Sequence, residues 1–111
     1  PILGVCRGMQ VINKFFQGKL HKTEGHAGTR HTIIINPDYS GYYPASVNSY
    51  HNFAISQKDL GQDLVVMATD KDNNIEALSH KLYPIHGIMW HPERESPPSS
   101  HDLHLFKKIF S

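Results

Sequence analysis

The sequence has almost no cysteine, almost no net charge and no long apolar run, and each shortage narrows what the chain can be. Cys6 is the only cysteine among 111 residues. That excludes an internal disulfide and suits a reducing cytosol, so a cytoplasmic location is expected. With 11 basic and 10 acidic residues the formal charge is +1, too little to point to a nucleic-acid or membrane-surface partner. No apolar stretch has the length of a membrane span, and no basic-then-apolar start reads as a signal peptide. Length alone suggests a single domain, 1–111.

What the sequence does have is a suggestive setting for that one cysteine. Cys6 sits in Gly4-Val5-Cys6-Arg7-Gly8, after the apolar run Ile2-Leu3-Gly4-Val5 and before a helical pattern. A nucleophile flanked by glycines between a strand and a helix is the sequence form of a nucleophile elbow. Glycine is expected two positions before and after it, because a Cβ there would collide with the neighbouring strand or helix. The first helical N–H groups would then face the thiol and favour a thiolate. Taken alone, the same pattern also describes a small buried cysteine.

Met9, Ile12 and Phe16 recur at helical spacing, with Asn13, Lys14 and Gln17 on the other side. This predicts a helix from about Arg7 to Gln17, stopped by Gly18 in a left-handed cap. Lys19 to His21 reads as a short strand, Thr23 to Arg30 as an irregular loop, and β-branched His31 to Ile35 as a strand ended by Asn36-Pro37-Asp38. Ser46 to Ser49 is extended, and Leu64–Thr69 with Ile75–Leu78 reads as a hairpin. Ile85 to Trp90 is a further strand. Ser99 and Asp102 form a capping box for a last helix bearing Leu103, Phe106, Ile109 and Phe110. Helix and strand alternating around a β-rich middle argue an α/β fold. The strand feeding the elbow starts at the first residues, although such strands are central and flanked on both sides. The expectation is therefore the C-terminal part of a larger domain, lacking its N-terminal part.

A cysteine nucleophile needs a base, and the base needs a group that fixes its tautomer. His91 and Glu93 stand two apart at the end of the predicted strand, with Pro92 stiffening the backbone between them. Alone, His-Pro-Glu also describes a polar strand exit. Arg30, with His26 and His31, is a candidate contact for an anionic leaving group such as a phosphate, against the plainer reading of a solvated loop. Nine histidines raise the question of a metal. His101 and His104 share a helix face, but a zinc site needs two more ligands, so a solvated face is preferred and no metal is expected. Trp90, Tyr39, Tyr42 and Tyr43 read as packing residues.

Together, Gly4-Val5-Cys6-Arg7-Gly8-Met9-Gln10 and Trp90-His91-Pro92-Glu93 resemble the class I glutamine amidotransferase family. Val47-Asn48-Ser49-Tyr50-His51-Asn52 is similar to its γ-glutamyl hydrolase branch, and the resemblance runs over essentially the whole chain. It implies the C-terminal part of a flavodoxin-like open sheet. It implies Cys6 as nucleophile, His91 as acid/base, Glu93 as the residue orienting His91, and the Arg7 backbone N–H in the oxyanion hole. Gln10 would contact the γ-glutamyl group, and Tyr50, His51 and Asn52 would line its pocket. The family's second oxyanion donor comes from a glycine-containing loop nearer the N-terminus, a region absent from this sequence. The implied activity is hydrolysis of a γ-glutamyl C–N bond in a small molecule through a thioester, with no cofactor. The alternatives are a glutaminase domain feeding ammonia to a synthetase partner, or a non-catalytic fragment.

Overall fold

The computed structural model describes residues 1–23, 27–37 and 43–111, apart from the side chains of Ala27 and His31. His26, Asp38, Tyr39, Tyr42 and the His31 side chain therefore lie outside the described residues. Strand β1 (Ile2–Val5) runs into Cys6 and helix α1 (Arg7–Phe15). Next come β2 (His21–Lys22), β3 (Ala27–Thr32), β4 (Ile34–Ile35), β5 (Ser46–Tyr50) and β6 (Phe53–Ala54). The chain continues with β7 (Leu64–Thr69), β8 (Ile75–His80), β9 (Ile85–Ile88) and helix α2 (Ser100–Phe110).

Five strands form one sheet in the order β1-β9-β8-β7-β4. β1 and β9 are parallel, with Ile2 opposite Ile85 and Val5 opposite Ile88, and the other neighbours pair antiparallel. β2 pairs with β6, and β3 with β5, in two separate ribbons. One face of the sheet carries α1 over a cluster that includes Met9, Ile55, Leu64, Ile75, Leu78 and Met89. The other face carries Ile33, Tyr43, Val47, Met67, Ile88 and Trp90, packed with Leu105 and Ile109 of α2. A sheet apolar on both faces and covered on both is the layered α/β arrangement that the alternation of elements predicted.

α1 crosses the sheet where two glycines face each other, Gly4 on β1 and Gly87 on β9. A Cβ on Gly4 would lie 2.6 Å from the Gly8 carbonyl carbon, and one on Gly87 would lie 2.7 Å from Met9 Cγ. Close approach of helix to sheet therefore requires both. Gly8 differs, since a Cβ there meets nothing within 4 Å. The expected crowding on both sides of Cys6 thus holds only on the strand side: the Gly8 backbone packs against Gly4, but a Cβ on Gly8 would point into open space.

Several other expectations are corrected. α1 ends earlier, and Gln17 (φ 74°), not Gly18, takes the left-handed conformation. Gly18 is needed for space instead, as a Cβ there would collide with the Asn13 side chain. Asn13 belongs to the buried side of α1. Its amide donates to the Lys19 and Asp59 carbonyls at 2.9 and 3.1 Å and accepts from the Gly61 N–H at 2.7 Å, leaving it fully satisfied at 0% exposure. The segment read as a loop up to Arg30 contains most of β3. The run His31 to Ile35 is divided between β3 and β4, which belong to different sheets. In α2, Asp102, Leu105 and Ile109 face inward, while Leu103 and Phe110 are exposed. The Ser99 hydroxyl caps the Asp102 N–H, but the Asp102 carboxylate does not return the bond; it accepts from the Trp90 indole N–H at 2.9 Å. Burial pushes the Asp102 carboxyl above its ordinary value, and the Trp90 bond offsets this only in part.

The two elbow glycines separate in a stability measurement. Gly4→Ala forces α1 off the sheet and should cost about 1–3 kcal/mol. Gly8→Ala gains helix propensity and should stabilise by up to about 1 kcal/mol. Denaturant unfolding checks both, and equal effects would refute the close-approach account.

Candidate active site

Parallel pairing of β1 with β9 brings their carboxyl ends to the same edge of the sheet, where ligands of open α/β sheets bind. Cys6 follows β1 directly, and its N–H donates to the Ile88 carbonyl at 2.8 Å, extending the ladder by one bond. The chain then turns sharply, with Cys6 at φ 53° and ψ −101°. A non-glycine residue held there stores about 1–3 kcal/mol. It also puts the side chain at the top of the sheet as α1 begins, which is the elbow geometry expected.

Beside Cys6 is a cleft of about 140 Å³ lined by Cys6, Arg7, Gln10, Tyr50, His51, Asn52 and Phe53. The end of β5 supplies the wall opposite α1. Phe53 contributes through its carbonyl, which accepts from Gln10 Nε2 at 3.2 Å and from His51 Nδ1 at 2.7 Å. A carbonyl can only accept, so Nδ1 carries the proton and the other ring nitrogen, Nε2, faces buried Glu76 at 3.8 Å. The volume is small beside the roughly 300 Å³ and more of drug-sized ligand sites, so it suits one end of a substrate.

His91 follows β9 and is held from two directions. Its Nδ1–H donates to Glu93 Oε2 at 2.6 Å. This is the expected contact, but it is made across a 3-10 turn at Pro92–Arg94 and not on one face of an extended strand end. Its backbone is clamped by the buried Asn48 amide, which donates to the His91 carbonyl and accepts from the His91 N–H, both at 2.8 Å. The Tyr50 ring links His91 to the cleft, edge to face at 5.9 Å between centroids. On Tyr50 also lies the Arg94 guanidinium, 4.3 Å from the ring centre. The sequence motif around Asn48 marks that segment but not the clamp, which joins two segments 43 residues apart. Sequence reasoning misses Arg94 too, whose one signal is a cation directly after His-Pro-Glu.

The charges are unequal in effect. Burial pushes the Cys6 thiol up, and the Arg7 backbone N–H with the Arg94 and Arg7 charges only partly counters it, while Glu76 adds to the rise. A thiolate pre-formed by the helix end, as the elbow alone suggested, is therefore not the resting state. Partial burial also raises the Glu93 carboxyl. Its own backbone N–H, the His91 hydrogen bond and charge, and Arg94 outweigh this and hold it below the ordinary range. Glu93 is thus ionised as the partner of His91. Arg30, the candidate anion contact, is outside the cleft lining, as are His91, Glu93 and Arg94, of which His91 and Arg94 meet the cleft wall at Tyr50. Arg30 donates to Glu95 Oε1 at 2.5 Å and to the Ser46 carbonyl at 3.3 Å.

Residues 1–93 match the model of the peptidase C26 family. Over all 111 residues the chain is 40% identical to the γ-glutamyl-CDP-amidate hydrolase of Campylobacter jejuni, of which it spans 50%. It is 35% identical to the carbamoyl phosphate synthase small chain of Aquifex aeolicus over 98% of its own length and 29% of that protein. A solved structure from Thermoplasma acidophilum, described as a GMP synthase subunit, matches 98% of the chain at TM-score 0.80 and 25% identity, with 55% of that structure covered. The chain thus spans about half the length, or less, of the curated relatives it matches.

Two measurements address the site directly. Asn48→Ala leaves the His91 N–H and carbonyl unpaired, so it should lower stability by about 1–3 kcal/mol and broaden the downfield proton resonance of the His91–Glu93 bond. An unchanged resonance would remove the clamp. Alkylation of Cys6 by iodoacetamide should keep rising with pH beyond the ordinary thiol range, because a raised thiol ionises late. A plateau at neutral pH would show a pre-formed thiolate.

Proposed function

The chain belongs to the peptidase C26 family, and from that premise we propose that it carries the nucleophile and the acid/base pair of an enzyme hydrolysing γ-glutamyl C–N bonds. The observation that carries this reading is the His91–Glu93 bond of 2.6 Å at the sheet end where Cys6 turns into α1. A cysteine hydrolase needs a thiol, an imidazole and a carboxylate fixing that imidazole, converging on one cleft. The 40% identity to γ-glutamyl-CDP-amidate hydrolase supports the γ-glutamyl substrate class and a phosphoryl-bearing leaving group.

In the proposed sequence, His91 takes the Cys6 proton as sulfur attacks the γ-carbonyl carbon. The carbonyl electron pair moves to oxygen, where the Arg7 backbone N–H stabilises it; losing one such donor costs about 3 kcal/mol in related chemistry. His91 returns its proton to the departing nitrogen as the C–N bond breaks, leaving a γ-glutamyl thioester. Water then gives a proton to His91 and its oxygen to the acyl carbon, and sulfur leaves and is reprotonated. Gln10 and the His51–Asn52 wall hold the glutamyl part. The proton and acyl transfers use Cys6, His91 and water and call for no cofactor, and a free thiol in this role suits the cytoplasm. The match to a carbamoyl phosphate synthase small chain supports a second reading, glutaminase supply of ammonia to a synthetase partner, with the same acyl chemistry.

In the full protein, Cys6→Ala should abolish γ-glutamyl amide hydrolysis, and Glu93→Gln should lower kcat by roughly 10²- to 10⁴-fold. Acid quenching during turnover should yield a Cys6 peptide bearing a γ-glutamyl group. Wild-type rates in Cys6→Ala would refute the assignment. Glutaminase activity that rises only when a synthetase is added would favour the second reading.

A further inference from the structure

Resting on the hydrolase reading above, we propose that Arg94, seated on the Tyr50 ring, binds an oxyanion of the leaving group and so sets the enzyme's preference for anionic γ-glutamyl amides. His91 must hand its proton to the departing nitrogen, so the leaving group has to pass beside His91. The Tyr50 ring is the surface His91 touches there, and Tyr50 also lines the cleft with Cys6. In this proposal Gln10, bonded to the Phe53 carbonyl, takes the acyl side, and Tyr50, expected to line the glutamyl pocket, instead faces the leaving group. A group leaving along Tyr50 therefore meets the guanidinium 4.3 Å above the ring centre.

The fork of Arg94 remains available to a ligand. The carboxylate paired with it, Glu93 Oε2, lies 3.9 Å from Nε, beyond hydrogen-bond distance, and Glu93 itself is bonded to His91. Seated over the Tyr50 ring, the guanidinium keeps its planar fork of N–H donors, which matches phosphoryl and carboxylate oxygens. Arg30 cannot play this part without giving up Glu95, with which it pairs at 2.5 Å. The cation that the sequence offered for an anionic leaving group is thus exchanged for another 64 residues further on, directly after the catalytic dyad.

The test uses the full protein and three matched substrates: γ-glutamyl anilide, its carboxylate derivative and its phosphonate derivative. The readout is the ratio of kcat/KM for each charged substrate to that for the anilide, which cancels any effect of Arg94 on Cys6 itself. Arg94→Gln should lower at least one ratio by about 10-fold, and Arg94→Lys should restore it in part. The derivative that loses more identifies the anion the site prefers. Ratios within twofold of wild type for both, with anilide hydrolysis still abolished by Cys6→Ala, overturn the role of Arg94 alone. Anilide hydrolysis that survives Cys6→Ala overturns the hydrolase reading, and the proposal with it.

Discussion

The in-register parallel pairing of β1 with β9 is the constraint on which everything at this site depends. It places Val5 opposite Ile88, so the two chain segments leaving those strands emerge side by side. One segment begins with Cys6, the other reaches His91. The opposed glycines at positions 4 and 87 let α1 settle onto this strand pair, and the buried Met9 locks it there. A one-residue slip would turn the apolar residues of both strands to the wrong faces and move Cys6 relative to His91.

Reactive groups at the site are held by backbone more than by side-chain packing. His91 is clamped at its peptide groups by Asn48, which leaves its ring free to exchange a proton while its position stays fixed. Cys6 is held by a ladder bond and a strained turn. Burial pushes its thiol up by more than the nearby N–H and guanidinium groups lower it. Under the proposed mechanism a base therefore has to draw off the proton before the sulfur reacts.

Local chemistry was legible in the sequence, and long-range pairing was not. Cys6 at a strand-to-helix turn, and a histidine bonded to a glutamate two residues on, are short motifs set by a few bonds. Both are present, although Gly8 is not crowded and Pro92–Arg94 forms a 3-10 turn. β3 escapes notice in the sequence because Gly28, at φ 68°, breaks the register between Ala27 and Thr29, so the strand is defined by its pairing with β5 rather than by a local pattern. The apolar run at Ile33–Ile35 looks continuous, yet the chain changes sheets within it. Asn13 reads as a surface residue, yet three backbone groups from two loops close around its amide. The inward face of α2 is misjudged from the sequence because Asp102, a charged residue, belongs to it as the partner of Trp90. In each case the deciding partner lies outside any window a local pattern can read.

The Phe53 carbonyl has one more implication. It gathers the side chains of Gln10 and His51 onto a single oxygen, while its own ring is largely exposed. Position 53 thus anchors two cleft residues through an atom that every amino acid possesses. The junction depends on the path of the backbone there, so a substitution that preserves that path preserves the junction.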